Sequence, residues 1–350
     1  MDLAIRADLA VQGVRVEAPV RRRAGAGPSD DGHLLLGGRG AAVPVNPSSR
    51  FSVEAGSLLL DGLDTGLEAE PVGRPAFYDL VTADGVPYNQ LARLHGDGVL
   101  ATTVIQTCTR YDPSERCRFC AIEATLDAGL TTRVKTPAQL AEVAAAAVRL
   151  DGVRHMVMTT GTTASPDRGA RFLARCVAAV VAAVPGLAIQ VQCEPPEEPE
   201  SLALLRAAGA TAIGIHIESL DQAVRNRWTP GKATVPISTY ERAWRVAVAL
   251  FGANRVSTYL LIGLGEDPDE LVGGAMRLAD LGVYPFVVPM RVLEGTLAAA
   301  DGVTGPSAEM VADVTGRVAA HLRAIGMLGE DQGAGCAACG ACSALSSAGG

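Results

Sequence analysis

From Val99 onward, short apolar runs alternate with amphipathic stretches six times in succession, and this rhythm restricts the possible folds more than any other feature of the chain. The runs Leu100–Gln106, His155–Thr160, Ala188–Cys193, Ala212–Ile217, Val256–Ile262 and Val283–Pro289 have strand length. The segments between them carry helix start signals. Thr136-Pro137-Ala138-Gln139 is a capping box with proline at the first helical position, and it opens an alanine-rich run to Leu150. Asp267-Pro268-Asp269-Glu270 repeats the device, and Pro199 opens a further helix with Gly209 just past its end. Six βα units in a row predict a parallel sheet with outer helices, and ligands then belong at the carboxyl ends of the strands. Periodicity alone fits both an open sheet and an incomplete barrel.

Residues 1–95 read differently. Arg21-Arg22-Arg23 followed by Gly, Ala, Pro, Ser and Asp suggests a mobile link, and Leu34–Leu36, Phe51–Val53 and Leu58–Leu60 are short strand-like runs between turn residues. The expected organisation is a small β-rich N-terminal module (1–95), a core (96–326) and a tail (327–350). The chain has 350 residues, of which 48% are hydrophobic and 19% charged, enough to bury a large core. A net charge of −8 with only 4% aromatics argues against a nucleic-acid partner. The uncharged stretch Cys176–Cys193 is cut by Pro185-Gly186 and interrupted by Gln190 and Gln192, so it reads as helix, turn and strand rather than a membrane span. The start, Met-Asp-Leu-Ala-Ile-Arg, lacks the pattern of a secretory leader, and a cytoplasmic location is expected.

There, clustered cysteines point to metal or catalysis more than to disulfides. Six of the eight cysteines fall in two clusters. The loop after the first core strand holds Cys108, Cys117 and Cys120 in a C-x8-C-x2-C pattern. Soft thiolates suit zinc or iron–sulfur centres, and three ligands rather than four leave one metal position open. Such a loop after the first strand of a six-fold βα array resembles the radical S-adenosylmethionine (radical SAM) superfamily. The pieces at the other strand ends, over roughly residues 99–300, are similar to its biotin-synthase and coproporphyrinogen-dehydrogenase branches. The chain also looks like a radical SAM group encoded beside a nitrilase in bacterial gene clusters, which would suggest nitrogenous small-molecule metabolism. The spacing departs from the family's common C-x3-C-x2-C by five residues between Cys108 and Cys117.

The resemblance implies an α/β fold, an incomplete (β/α)6 radical SAM barrel with a small β-rich N-terminal module and a Cys-rich C-terminal tail. It implies a [4Fe–4S] cluster on the three thiols, with SAM chelating the remaining iron. Phe119 would pack against the adenine. Thr160 and Gly161 stand where the family has its Gly-Gly-Glu turn for the SAM amino group, here without the Glu. Glu194 would contact SAM or substrate, and Glu218 would accept from the ribose hydroxyls. Arg225 or Arg227 would pair with the SAM carboxylate, Gly263 and Gly265 would admit the adenosine, and Arg291 would bind an anionic substrate or SAM. His216 reads as a packing residue, as does Cys176. The implied partners are SAM, a small-molecule substrate and an external electron donor of flavodoxin or ferredoxin type.

The tail carries Cys336, Cys339 and Cys342, whose C-x2-C-x2-C run resembles the first three ligands of a bacterial ferredoxin. A second, auxiliary [4Fe–4S] cluster is expected, serving sulfur donation, substrate anchoring or electron transfer. Its fourth ligand would be substrate, Cys193, or one of Ser343, Ser346 and Ser347, the serine option resembling lipoyl synthase. The alternative from another class is a zinc-stapled metabolite-binding or scaffold protein, with Cys117/Cys120 and Cys339/Cys342 as two halves of one tetrahedral site.

Overall fold

The computed structural model describes residues 2–16, 33–96 and 98–348; Arg21-Arg22-Arg23 lies outside them. The six repeats form one sheet of seven strands. An antiparallel edge strand, Arg93–His95 (strand β6 of the chain), is followed by the parallel strands Val99–Thr103 (β7), His155–Thr159 (β8), Ala188–Gln192 (β9), Ala212–Gly214 (β10), Val256–Ile262 (β11) and Val283–Pro289 (β12). Their spatial order is the chain order, so each crossover joins neighbours, and the sheet curls into a half-barrel with β6 and β12 as its free edges. All seven residues of β12 are buried, as expected for a strand covered on both faces.

The outer helices start where the caps require. Thr136 accepts from the main-chain N–H of Gln139, whose side-chain carbonyl accepts from the N–H of Thr136, and the helix Pro137–Asp151 follows. Asp267 caps the helix Pro268–Asp280 with its carboxylate alone, which accepts from the N–H groups of Asp269 and Glu270.

A separate five-stranded antiparallel sheet forms from His33–Leu36 (β1), Arg39–Ala42 (β2), Phe51–Glu54 (β3), Ser57–Leu60 (β4) and Leu63–Pro71 (β5), in the order β2-β1-β5-β4-β3. It has its own small core around Phe51 and Leu58. The N-terminal region also holds a helix, Leu3–Gln12, capped by Asp2 and packed on the last barrel helix, Ala308–Ala324. Residues 76–95 attach to the barrel, with Phe77, Tyr88 and Leu91 in its core and β6 on its sheet.

The tail closes the gap that the half-barrel leaves. Its single turn Cys336–Cys339 enters the lumen, where the Cys336 N–H donates to Gln190 Oε1 and the Gly335 N–H to His155 Nδ1. A Cβ on Gly335 would lie 2.2 Å from the Gln190 side chain, so only glycine passes there. Further along, Ser343 Oγ donates to the main-chain carbonyl of Val287 on β12, while the Ala341 carbonyl accepts from Ala42 of the N-terminal sheet and from Arg6 of the first helix. The tail is thus clasped between lumen and N-terminal sheet.

Candidate active site

At the carboxyl ends of the strands a cavity of about 150 Å³ gathers Cys108, Cys117 and Cys120 with Thr160, Gly161, Glu194, Glu218 and Lys232. These positions lie far apart in sequence, and the strand ends alone bring them together. The loop with the three thiols is clamped on every side. Thr109 donates its N–H to the Thr162 carbonyl, Cys108 to Glu123 Oε1, and Arg118 to the Trp228 carbonyl. Gly161 fits because a Cβ there would sit 2.0 Å from the Thr107 carbonyl oxygen. Its lack of a side chain lets β8 and the thiol loop meet.

Two buried ion pairs line the cavity. Arg110 Nε donates to both carboxylate oxygens of Glu194 at 3.0 and 3.1 Å, and Thr162 Oγ1 adds a third contact at 2.8 Å. Lys232 Nζ donates to both oxygens of Glu218, at 2.8 and 2.7 Å, and to the His216 carbonyl. Burial opposes the Lys232 charge, but the Glu218 carboxylate outweighs it and holds the ammonium protonated. Glu218 itself has φ +67, a left-handed conformation that costs a non-glycine residue free energy. The strain follows from the local path. After β10 the chain leaves the ladder, because the Tyr259 N–H that would continue it donates instead to His216 Nδ1, and it rejoins β11 at Glu218. This is why β10 ends at Gly214 rather than at Ile217 as the apolar run predicts.

His216 is held from two sides. Its ring stacks on Tyr259, with centroids 4.1 Å apart and planes within 9°. Since Nδ1 accepts a hydrogen bond, Nε2 carries the ring proton, and that buried N–H has no partner among the described residues. Burial, reinforced by Lys232, lowers the pKa to about 3 and keeps the imidazole neutral. It lines the same cavity.

Of the two arginines that the resemblance offers for a carboxylate, neither lines the cavity. Arg225 is buried behind it, donating to the Lys232 and Val235 carbonyls, and Arg227 is exposed over the Trp228 ring. The cations that do line it are Lys232, Arg110 and Arg116, which the sequence alone does not single out. Arg291 is also elsewhere, donating to the Ala42 carbonyl of the N-terminal sheet. Phe119 lies outside the thiol cavity and stacks on Trp228 at 6.5 Å; the Trp228 indole donates to the carbonyl of Leu264, between Gly263 and Gly265. Phe119 and the glycine turn therefore belong to one patch. A Cβ on Gly263 would meet Pro306 at 2.8 Å, whereas Gly265 faces open space.

The donor set fits an iron–sulfur cluster. All three thiols are free and share one cavity, with buried cationic and carboxylate side chains beside them to receive a polar ligand. Among the described residues no three His, Cys, Asp or Glu side chains are gathered tightly enough for a single metal ion. A model of the radical SAM superfamily matches residues 105–279, half of the chain. The chain belongs to the radical SAM superfamily. Radical SAM proteins bind SAM at a [4Fe–4S] cluster, and Cys108, Cys117 and Cys120 share one cavity here.

No curated protein matches the chain. Among solved structures it is similar to methylornithine synthase, PylB, with TM-score 0.44 and 16% identity over 57% of this chain and 55% of that one. It is also similar to HydG, a maturase of [FeFe]-hydrogenase, with TM-score 0.45 and 13% identity over 64% of this chain and 49% of that one. The HydG of Carboxydothermus hydrogenoformans gives 0.42 and 16%, over 64% and 50%. The chain thus spans about half the length of each.

One tail thiol reaches the opposite end of the lumen. Cys339 lines a cavity of about 840 Å³ at the amino ends of the strands, with Val99, His155 and Tyr284. Cys117/Cys120 and Cys339 therefore face different cavities, and the split tetrahedral zinc site considered above is not brought together. Gln192 links the two ends, because it lines the first cavity while its amide donates to Cys336 Sγ at 3.3 Å.

Proposed function

We propose that this radical SAM enzyme acts on a small anionic molecule and carries a second iron–sulfur cluster on Cys336, Cys339 and Cys342 for electron transfer. When bound, the first cluster with SAM supplies a 5′-deoxyadenosyl radical that takes a hydrogen atom from the substrate. The chain's own residues do the rest. Lys232 and Arg110 offer charge to the SAM carboxylate, Glu218 accepts from the ribose hydroxyls, and Thr160 and Glu194 receive the SAM amino group. The Phe119–Trp228 pair and the Gly263/Gly265 turn flank the adenine. His216 Nε2–H, pinned as a donor, orients an acceptor atom of the substrate. Next to the cluster cavity lies a second one of about 400 Å³, lined by Arg110, Arg168 and Arg242; Arg110 pairs with Glu194 and Arg168 with Glu197, which leaves Arg242 as the surplus charge among the described residues. That balance favours an anionic visitor.

The observation that carries the second cluster is the charge around Cys342. Arg6 is buried, its Nη1 has no hydrogen-bond partner among the described residues, and Arg291 lies close enough to repel it. Burial, and then Arg291, lowers its pKa to about 10, and Cys342 pulls the other way. A buried guanidinium that feels both a second guanidinium and a tail thiol favours an anion beside it, and a thiolate-bound cluster is one. Electron transfer is favoured over sulfur donation because Gln192 and the His216–Tyr259 stack fill the space between Cys336 and the SAM cavity.

With dithionite under anaerobic conditions, the protein should release 5′-deoxyadenosine from SAM. Cys→Ala at 108, 117 and 120 should abolish that release, and Cys→Ala at 336, 339 and 342 should leave it in place. Release that survives loss of the first trio would refute the assignment.

A further inference from the structure

A cluster on three tail thiols has one coordination position left, and the structure points to a residue that no sequence motif marks. Of the serine options, Ser343 Oγ donates to the Val287 carbonyl, while Ser346 and Ser347 line the outer cavity that Cys339 also lines. Cys193 lines the SAM cavity at the other end of the lumen. His95 is a further candidate, set apart by its distance to a tail thiol. It is the last residue of edge strand β6, where it pairs with Val99 at the amino end of the barrel, and it is only 7% exposed. Its Nδ1 lies 4.0 Å from Cys339 Sγ. The tail thus meets β6 through this histidine on one side of the seam and β12 through Ser343 on the other.

We propose that His95 is the fourth protein ligand of the tail cluster, making a three-cysteine, one-histidine site assembled from the tail and the edge strand β6. The proposal rests on the second-cluster reading above. Its chemistry is coherent, since a neutral imidazole joins thiolates readily in iron–sulfur centres and raises their reduction potential relative to an all-cysteine set. A raised potential suits a cluster that accepts electrons. The cationic surroundings act in the same direction: Arg6 faces Cys342, and Arg154 faces Cys339.

The test uses the full chain with Cys108, Cys117 and Cys120 changed to Ala, reconstituted anaerobically with iron and sulfide, so that only the tail cluster reports. About four irons per chain are expected. With ¹⁵N-histidine in the protein, pulsed EPR of the reduced cluster should show coupling to a directly bonded imidazole nitrogen. In the same background His95→Cys should keep the iron, lose that coupling and lower the midpoint potential. His95→Ala should lose the coupling and release iron faster to a chelator. An iron-loaded tail without nitrogen coupling overturns the histidine assignment alone, as does coupling that persists in His95→Cys, which would move the ligand to His155 or another histidine. A tail that takes up no iron overturns the second-cluster reading and the assignment with it.

Discussion

Glu218 and Lys232 show how a single pair can shape a site. Both are buried, both contacts are short, and the carboxylate sits on a strained main chain. Removing one partner strands the other charge in the interior. Lys232→Met should destabilise the metal-free protein by about 3–5 kcal/mol, and Lys232→Met with Glu218→Leu should recover most of that, measured by urea unfolding. A smaller loss in the single variant than in the double would contradict the pairing. His216 adds a pH signature. Its folded pKa of about 3 lies below its ordinary 6.5, so the unfolded chain binds the extra proton between those values. The stability this contributes is complete above pH 6.5 and is lost as pH falls toward 3. His216→Gln should flatten the unfolding midpoint across that window, and an unchanged slope would contradict the buried neutral ring. The thiols, Glu194 and Glu218 are legible in the sequence as strand-end residues. Lys232 is not, because the helix Pro230–Ala233 that carries it is a single turn with no periodicity to read.

Elements are legible in proportion to how far local signals decide them. The bounds of β11 and β12 agree with their apolar runs to the residue, and the capping box at Thr136 marks the start of its helix. Thr136→Ala should cost about 1 kcal/mol in thermal or urea unfolding, with the barrel otherwise intact. Where tertiary contacts decide, the runs mislead. The strand after Thr211 stops early because an imidazole takes its ladder donor, and no propensity encodes that. The helix Leu3–Gln12 is hidden within a region that reads as β-rich, since its stability comes from packing on Ala308–Ala324. The position of the tail has no local signal in the sequence: its small residues are what let it thread the lumen beside Gln190, and that is decided by tertiary contact.

For the whole molecule, the N-terminal helix, the tail and both barrel edges converge on one buried, cationic seam. Arg6 from the first helix, Arg291 from beyond β12 and the tail meet there, joined through the Ala341 and Ala42 carbonyls that accept from the two guanidinium groups. Arg6→Met should therefore separate two properties. The metal-free protein should unfold at an unchanged or higher urea concentration, because a buried repulsion is relieved, while tail iron is lost faster to a chelator. Faster loss from the first cluster as well would contradict that separation. The claim on which the account turns is that the lumen is closed at each end by its own thiol trio and its own cluster. Iron counted per chain after anaerobic reconstitution tests it directly. About eight irons are expected for the native sequence and about four when either trio is changed to alanine; a native count near four, or a count that survives loss of the tail trio, would contradict it.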